Sequence, residues 1–549
     1  MPLQLLTTAI LTISLASPAL TSQQTATESG NTPNAEELMD RVAGALAATN
    51  LDEARDLLAQ VERLNPKQAK LWAYYGYLAT VSGHLDQAIE DYKKEVRFHP
   101  DEISAYREMA KDLTRVGRRD EAIEAWRIAL AAEPKDQLAA TQAATLMIQS
   151  KRYAEVPELL AKPIAAAPDR YNLQVLRTRA LIQGGRKDEG MAEAQKIVAA
   201  TADPLILNNL AYSLADTGVS VDLAREWAQR ALNRTEQDTA KASLTSVQRK
   251  DIAAVILLGE EWDTLGWVYF RQGDVANAEK FVYAAWQLGQ HAEVADHLGQ
   301  IYEKESRHEA AIHMWQLAVA SNRRYEGAPE RLRSAGVPES DISTSSEASR
   351  ELGRLRTIAV PAIQNRVGSA DFFILMSRQG TEDVRLIGTS GFFNDAADAI
   401  RSAHYQFPFP DEGPEKIIRS GTLYCSTYTA PNCQLTMLLP SSTPVGSVQP
   451  NGGALQVLPP TLRTRVEPKY TEAARNARLE GTVLLSIVIN EDGIPEQISV
   501  INSLGMGLDE SARDCVAKWR FNPATRGGKP VKSISRVEVN FALIKRPEQ

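Results

Sequence analysis

A strict 34-residue period constrains this chain more than any other feature. Pro66, Pro100, Pro134 and Pro168 recur at that interval. Each follows an Ala-rich amphipathic segment such as DEAIEAWRIALAAEP, residues 120–134. Within the same frame Ala54, Ala88 and Ala122 share one position, and Leu58, Tyr92 and Trp126 share another four residues later. A small residue at the first place lets two helices approach, and a large one at the second fills the space beneath. One helical hairpin of this kind cannot bury its apolar face alone. The period therefore predicts a stack of hairpins that bury a continuous core between neighbours.

The fullest copy reads Trp262-Asp263-Thr264-Leu265-Gly266-Trp267-Val268-Tyr269, followed by Ala278. The next reads Leu298, Gly299, Tyr302, Ala311, Trp315 and Ala318. These residues resemble the tetratricopeptide repeat and its W-x₂-LG-x₂-Y signature. The resemblance implies an all-α solenoid over 35–234 and 259–325, interrupted by a helical insertion at 235–258, with a concave groove that takes peptides or other proteins. The Trp and Tyr residues at repeat positions are expected to fill the core rather than to bind.

Residues 3–20 (LQLLTTAILTISLASPAL) form an apolar run ending in small residues, with Pro18 breaking it. A polar tract follows. This pattern predicts a signal peptide or short anchor at 1–22, a polar linker at 23–34, and export to an oxidising periplasm. Elsewhere no stretch reaches 18 consecutive apolar residues, which excludes a polytopic membrane protein. A net charge of −8, from 61 Lys plus Arg and 69 Asp plus Glu, gives no basic face for nucleic acid. Membrane contact is expected only if residues 1–22 are retained.

The pattern changes after residue 325. A polar, Ser-rich linker is expected at 326–356, an α+β unit at 357–440, a Pro/Gly/Ser linker at 441–462, and a last α+β unit at 463–549. Cys425 and Cys433 flank a short turn between two strand-like segments. They are either a disulfide or two free thiols, and an oxidising compartment favours the bridge. Cys515 lies on an apolar helix stripe and reads as a core residue.

In the last unit a short helix, YTEAARNARL (470–479), precedes an alternating strand, Val483, Leu485, Ile487 and Ile489. A turn at Asn490–Gly493, a returning strand, a helix opened by Gly507-Leu508-Asp509-Glu510, and KWRFNPATRGGKPV (518–531) follow. Those pieces resemble the C-terminal domain of the TonB energy-transducer family over 463–543. The resemblance implies a periplasmic domain that engages proteins or extended peptides, including segments of outer-membrane receptors, by strand addition. The implied edge is Arg536, Val537, Glu538, Val539, Asn540 and Phe541. The middle unit is read as a worn copy of the same fold, because Gly368 and Gly380 are spaced like Gly481 and Gly493. Tyr405-Gln406-Phe407 likewise echoes Trp519-Arg520-Phe521.

No catalytic constellation is found. The seven histidines lack metal-ligand spacing, there is no P-loop or nucleophile elbow, and the acidic residues read as solvated repeat surface. No enzyme activity, cofactor or metal is expected. Two functional readings remain. One is an envelope module that links partners in transport across the outer membrane. The other is a soluble periplasmic scaffold without energy transduction, favoured by the weak anchor.

Overall fold

The computed structural model describes residues 34–47, 50–321, 325–343, 346–361, 363, 368–387, 396–403, 405–425, 433–440, 457–458, 460–476, 479, 481–502, 504–526 and 529–541. The expected signal segment 1–22 lies outside them. The chain divides into two compact units between Ile197 and Val198. It is mostly helical, with small strand-rich units towards its C-terminus.

The first unit is a run of helical hairpins. The second helices of the first four end at Leu64, Phe98, Ala132 and Ala166. Each is followed by one extended residue (Asn65, His99, Glu133, Ala167) and then by the periodic proline. The proline ring disfavours helical ψ in the residue before it, so the period is a register of helix stops. The turns inside the hairpins repeat as well. Gly83, Gly117, Lys151 and Gly185 all hold positive φ, and Lys151 alone lacks the freedom of glycine there. Ala54, Ala88, Ala122, Leu58, Tyr92 and Trp126 are all buried in the core.

Glu95 is also fully buried. Its carboxylate accepts from the backbone N–H groups of Lys70 (2.7 Å), Trp72 (3.0 Å) and Ala73 (3.2 Å), and so caps the Leu71–Val81 helix from the neighbouring one. A negative group at a helix N-terminus satisfies donors that have no partner within the helix.

The second unit opens with Pro204–Thr217 and Val221–Thr239, continues through a turn at Leu244–Ser246, and then enters one helix, Arg249–Gln272. The residues expected as a separate insertion at 235–258 are therefore continuous with their neighbours. The preceding helix extends to Thr239, and the following one runs through Gly259 into Trp262 without a break. Helices Val275–Gly289, Ala292–Lys304 and His308–Ser321 complete the hairpins. The segment expected as a linker carries three further helices, Gly327–Ser334, Glu339–Ser343 and Ser346–Leu355. Its Ser, Asp and Glu residues, read as linker composition, are also what helix N-termini take.

The middle unit is a five-stranded antiparallel sheet: β1 (Thr357–Val360), β2 (Gly368–Ser377), β3 (Gly380–Leu386), β4 (Lys416–Cys425) and β5 (Cys433–Met437), ordered β1-β5-β4-β2-β3. Phe372 and Ile374 are fully buried on one face. On the other, Phe373 and Ile418 pack against Leu244, Val247 and Ile252, so the repeats cover the sheet. Cys425 and Cys433, opposite each other in the β4–β5 ladder, are bonded.

In the last unit, β6 (Val457–Leu458) and β7 (Thr461–Thr464) precede β8 (Gly481–Ile489) and β9 (Pro495–Asn502). After the Leu508–Val516 helix come β10 (Arg520–Asn522), β11 (Ala524–Arg526), β12 (Lys529–Val531) and β13 (Ser533–Phe541). The main sheet is ordered β13-β8-β9, with β7–β10 and β6–β11–β12 as small separate ladders. Leu508, Ala512, Cys515, Val516 and Trp519 pack on Val483, Leu485, Ile487 and Ile489. Gly493 makes the hairpin turn at φ 78°.

Two substitutions test this packing. A Cβ on Gly266 would lie 2.5 Å from Val282 Cγ2 and 3.0 Å from Val282 N. Gly266→Ala is expected to cost about 1–3 kcal/mol in urea unfolding. Lys151→Gly, which relieves a left-handed backbone, should instead stabilise the first unit by about 0.5–1 kcal/mol.

Candidate partner-binding surfaces

β13 is the edge of its sheet. It pairs with β8 along its whole length, from Ser533 opposite Ile489 to Phe541 opposite Gly481. Among the described residues no strand pairs with its other side. Val539 and Phe541 are buried, and Val537 packs against the same core. The Phe541 ring meets Tyr470 edge-on at 5.7 Å, and Tyr470 donates its hydroxyl to the Leu479 carbonyl. The Trp519 indole donates to the Val466 carbonyl at 2.8 Å, tying the segment before the domain to its helix. One row of β13 backbone groups is thus paired with β8, and the other has no strand partner among the described residues. Such an edge can pair with an extended segment and has no chemistry of its own. The residues expected at the edge, Arg536 to Phe541, all lie on β13.

A second surface is already filled. The extended segment 405–414 lies across the Arg249–Gln272 helix. There the Phe407 ring stacks on Trp262 at 5.9 Å and the Phe409 ring meets it edge-on at 6.4 Å. Asp411 pairs with Lys280, and Tyr269 donates to Glu412. Arg419, buried beneath, faces the Phe407 ring, and burial pushes its guanidinium pKa down to about 10. An aromatic and basic slot of this kind suits an extended peptide, and the chain's own middle unit occupies it.

The acidic residues of the repeats are not all solvated, as the sequence suggested. Glu261 is fully buried and accepts from Thr235 Oγ1 at 2.8 Å. Asp296 accepts from Arg331 Nε at 2.6 Å and Tyr325 Oη at 2.9 Å. Asp263 meets His297 Nδ1 at 2.8 Å, and the imidazole stacks on Trp267 at 4.1 Å. Asp263 and His297 are one repeat apart, so the period that places like positions on adjacent helices could have paired them. Burial alone would lower the His297 pKa, but the Asp263 charge, helped by Glu293 and Asp296, raises it to about 9. Burial pushes Glu260 up to about 8, with Asp263 and Glu293 adding to the rise, and holds Glu261 well above the usual carboxylate range. Oε1 of Glu260 has no hydrogen-bond partner among the described residues. These groups join neighbouring helices. Among the described residues no cluster of His, Cys, Asp and Glu could hold a metal ion.

The two raised pKa values act in the same direction. The His297 ion pair stabilises fully below about 6.5 and is lost as pH rises through about 9. Glu260 stays protonated when folded but ionises when unfolded above about 4.5, so its penalty grows until about 8. The unit should lose on the order of 2 kcal/mol between pH 7 and 9, read by urea unfolding at each pH. Glu260→Gln should raise stability at pH 8, and His297→Gln should flatten the fall.

A family profile described as the Gram-negative bacterial TonB protein C-terminal matches residues 466–543, and a tetratricopeptide repeat profile matches 29–103. The TonB protein of Xanthomonas campestris pv. campestris is 39% identical over 77 residues, 14% of this chain and 34% of that protein. A TPR repeat-containing protein of Pseudomonas aeruginosa is 30% identical over 132 residues, 24% of this chain and 19% of its own. The crystal structure of a tetratricopeptide repeat protein from Parabacteroides merdae covers 55% of this chain and 98% of its own, at 16% identity and a TM-score of 0.38. The chain spans about a third of the length of the curated TonB relatives it matches. Both kinds of module mediate protein interaction. The chain thus carries tetratricopeptide repeats followed by two small α+β units, and the last of these matches the TonB C-terminal domain.

Proposed function

We propose that this chain is an adaptor of the bacterial cell envelope. Its repeats hold one protein partner, and its C-terminal domain takes an extended segment of another by strand addition at β13. The observation that carries this reading is the β13 edge, rigid on its β8 side and without a strand on the other among the described residues. Backbone groups at such an edge supply affinity, and side-chain pockets on alternate residues supply selectivity. The TonB resemblance adds the partner class, an extended segment of an outer-membrane receptor, and hence a role in transport across the outer membrane. The apolar run at 3–20 supports export to the periplasm. No catalysis, cofactor, metal or nucleic acid enters this reading.

The charge distribution supports a less acidic docking end. From Arg463 onward there are 14 Lys plus Arg against 11 Asp plus Glu, while the whole chain carries −8. That contrast tunes encounter with acidic segments more than it fixes affinity.

The state of residues 1–22 separates coupled transport from a soluble scaffold. Among the described residues no helix is long and apolar enough to cross a membrane, and the apolar run at 3–20 lies outside them. Intact mass of the protein from the envelope decides this point. A chain starting near 21–25 makes it a soluble scaffold, and a retained segment makes it an anchored module.

Strand addition is tested by two single prolines. Successive residues of a strand direct their hydrogen-bonding groups alternately to the two neighbours. Of Glu538→Pro and Val539→Pro, one therefore removes an outward N–H and the other a bond to β8. The first should keep its thermal unfolding and bind an extended receptor peptide about tenfold more weakly, while the second destabilises the sheet. Unchanged binding in a folded variant of each kind would overturn docking at this edge.

A further inference from the structure

The middle sheet and the C-terminal sheet share one path. In each, a first strand turns into an antiparallel second strand, a helix packs on that second strand, and a last strand returns to pair with the first. The orders are β4-β2-β3 and β13-β8-β9, with Ala396–Arg401 and Leu508–Val516 as the helices. Strands consecutive in the chain usually pair, which would place β4 beside β3 and β13 beside β9. Both units instead return across the hairpin.

Detail within the two paths agrees. Gly368 opens β2 opposite Cys425 at the end of β4, and Gly481 opens β8 opposite Phe541 at the end of β13. Gly380 and Gly493, twelve residues further on in both cases, turn the hairpins at positive φ, 117° and 78°. Each lies beneath the chain that leaves the helix. The contact falls two places apart in the two units: a Cβ would sit 3.7 Å from the Tyr405 carbonyl oxygen at Gly380, and 1.8 Å from that of Phe521 at Gly493. Phe407 and Phe521, buried, follow those helices at matching places.

The two units differ at the last strand. The outer side of β13 carries no strand among the described residues. The outer side of β4 is paired with β5, from Gly421 opposite Met437 to Cys425 opposite Cys433. In β5, Cys433, Leu435 and Met437 are buried, Gln434 is exposed and Thr436 half-buried, and β1 pairs with its far side. The disulfide joins β5 to the strand it covers.

We propose that the middle unit is a second copy of the C-terminal fold whose strand-accepting edge, β4, is filled by the chain's own strand β5. Of two equivalent edges, β13 alone is then left to take a strand from another protein. That last clause rests on the docking role proposed for β13; the closure of β4 does not. The middle copy, closed at its edge and buried on the repeats through Phe373, Phe407 and Ile418, serves to hold the unit on the solenoid rather than to recruit a partner.

The equivalence is tested by moving the cap. In the full-length protein, residues 542–549 are replaced by the sequence of 426–437, together with Phe541→Cys. If the edges are equivalent, the added strand pairs with β13. Hydrogen exchange of alternate amides in 537–541, the stretch a five-residue strand can cover, should then slow at least about tenfold, and capture of an extended receptor peptide should fall by a similar factor. Unchanged exchange in a folded graft would overturn the proposal.

The reverse variant carries Gln434→Pro and Thr436→Pro with both Cys425 and Cys433 changed to Ser. Its β4 amides should exchange at least about tenfold faster, and a free SQLTM peptide should restore their protection. Amides that stay protected, or that the peptide does not protect, would overturn it if the graft does not fold. If the parent protein captures no strand peptide while both exchange results hold, the docking role of β13 fails and the closure of β4 stands.

Discussion

Trp262 is the side chain on which the second half of the molecule turns. It belongs to the Arg249–Gln272 helix, which packs between Val221–Thr239 and Val275–Gly289, and it is fully buried. The rings of Phe407 and Phe409 help to cover it. Aromatic contacts of this geometry contribute about 0.5–1.5 kcal/mol beyond the area they bury. Their larger effect is positional. Because one helix supplies both a repeat core and the floor for the middle sheet, the repeats of the second unit and that sheet pack together. In a repeat array each hairpin otherwise meets only its neighbours. Here the middle unit adds contacts from far along the chain, and it uses the slot at Trp262 that an external peptide could have filled.

Much of this was legible because repeats write their packing into the sequence at a fixed spacing. The periodic prolines, Ala88 with Tyr92, and Ala122 with Trp126 identify helix ends and core positions without any tertiary information. The C-terminal strand, Asn490–Gly493 turn and helix were legible for the same kind of reason: alternation, a turn glycine and an apolar stripe are local signals. Polar residues with distant partners were not. Glu95 caps a helix more than 20 residues earlier in the chain, and nothing near it marks that role. Asp263 was read as solvated surface and His297 as a surface or packing residue, because charge seldom signals burial by itself, and only the repeat spacing connects them. The boundary expected after residue 258 falls inside a helix, which carries Gly259 because a single glycine there costs only about 1 kcal/mol and packing offsets it.

The β13 edge was legible only through resemblance. Alternation at Val537, Val539 and Phe541 predicts a strand with one buried face. It cannot tell which side of that strand is paired, because pairing depends on where the chain returns. The middle unit makes the same point, since nothing in the residues of β4 marks its outer side as occupied, yet β5 pairs with it. What separates the two edges is β5, which pairs with β4 and has no counterpart on β13 among the described residues.

An open strand edge is a hazard as well as a site, and proteins restrict it by covering it or by limiting its length. The middle sheet has two further strands beyond β4, with a covalent link across the first ladder, and its remaining edge there is only the four residues of β1. The C-terminal sheet, with a similar path, has a nine-residue edge strand and no such cover among the described residues. Cover would be equally available to both, because the fold itself accepts it. An edge without a partner strand among the described residues is open to unwanted pairing, a cost that makes sense where pairing with another chain is the use of that edge. The asymmetry between the two sheets is therefore a stronger functional signal than either sheet considered alone.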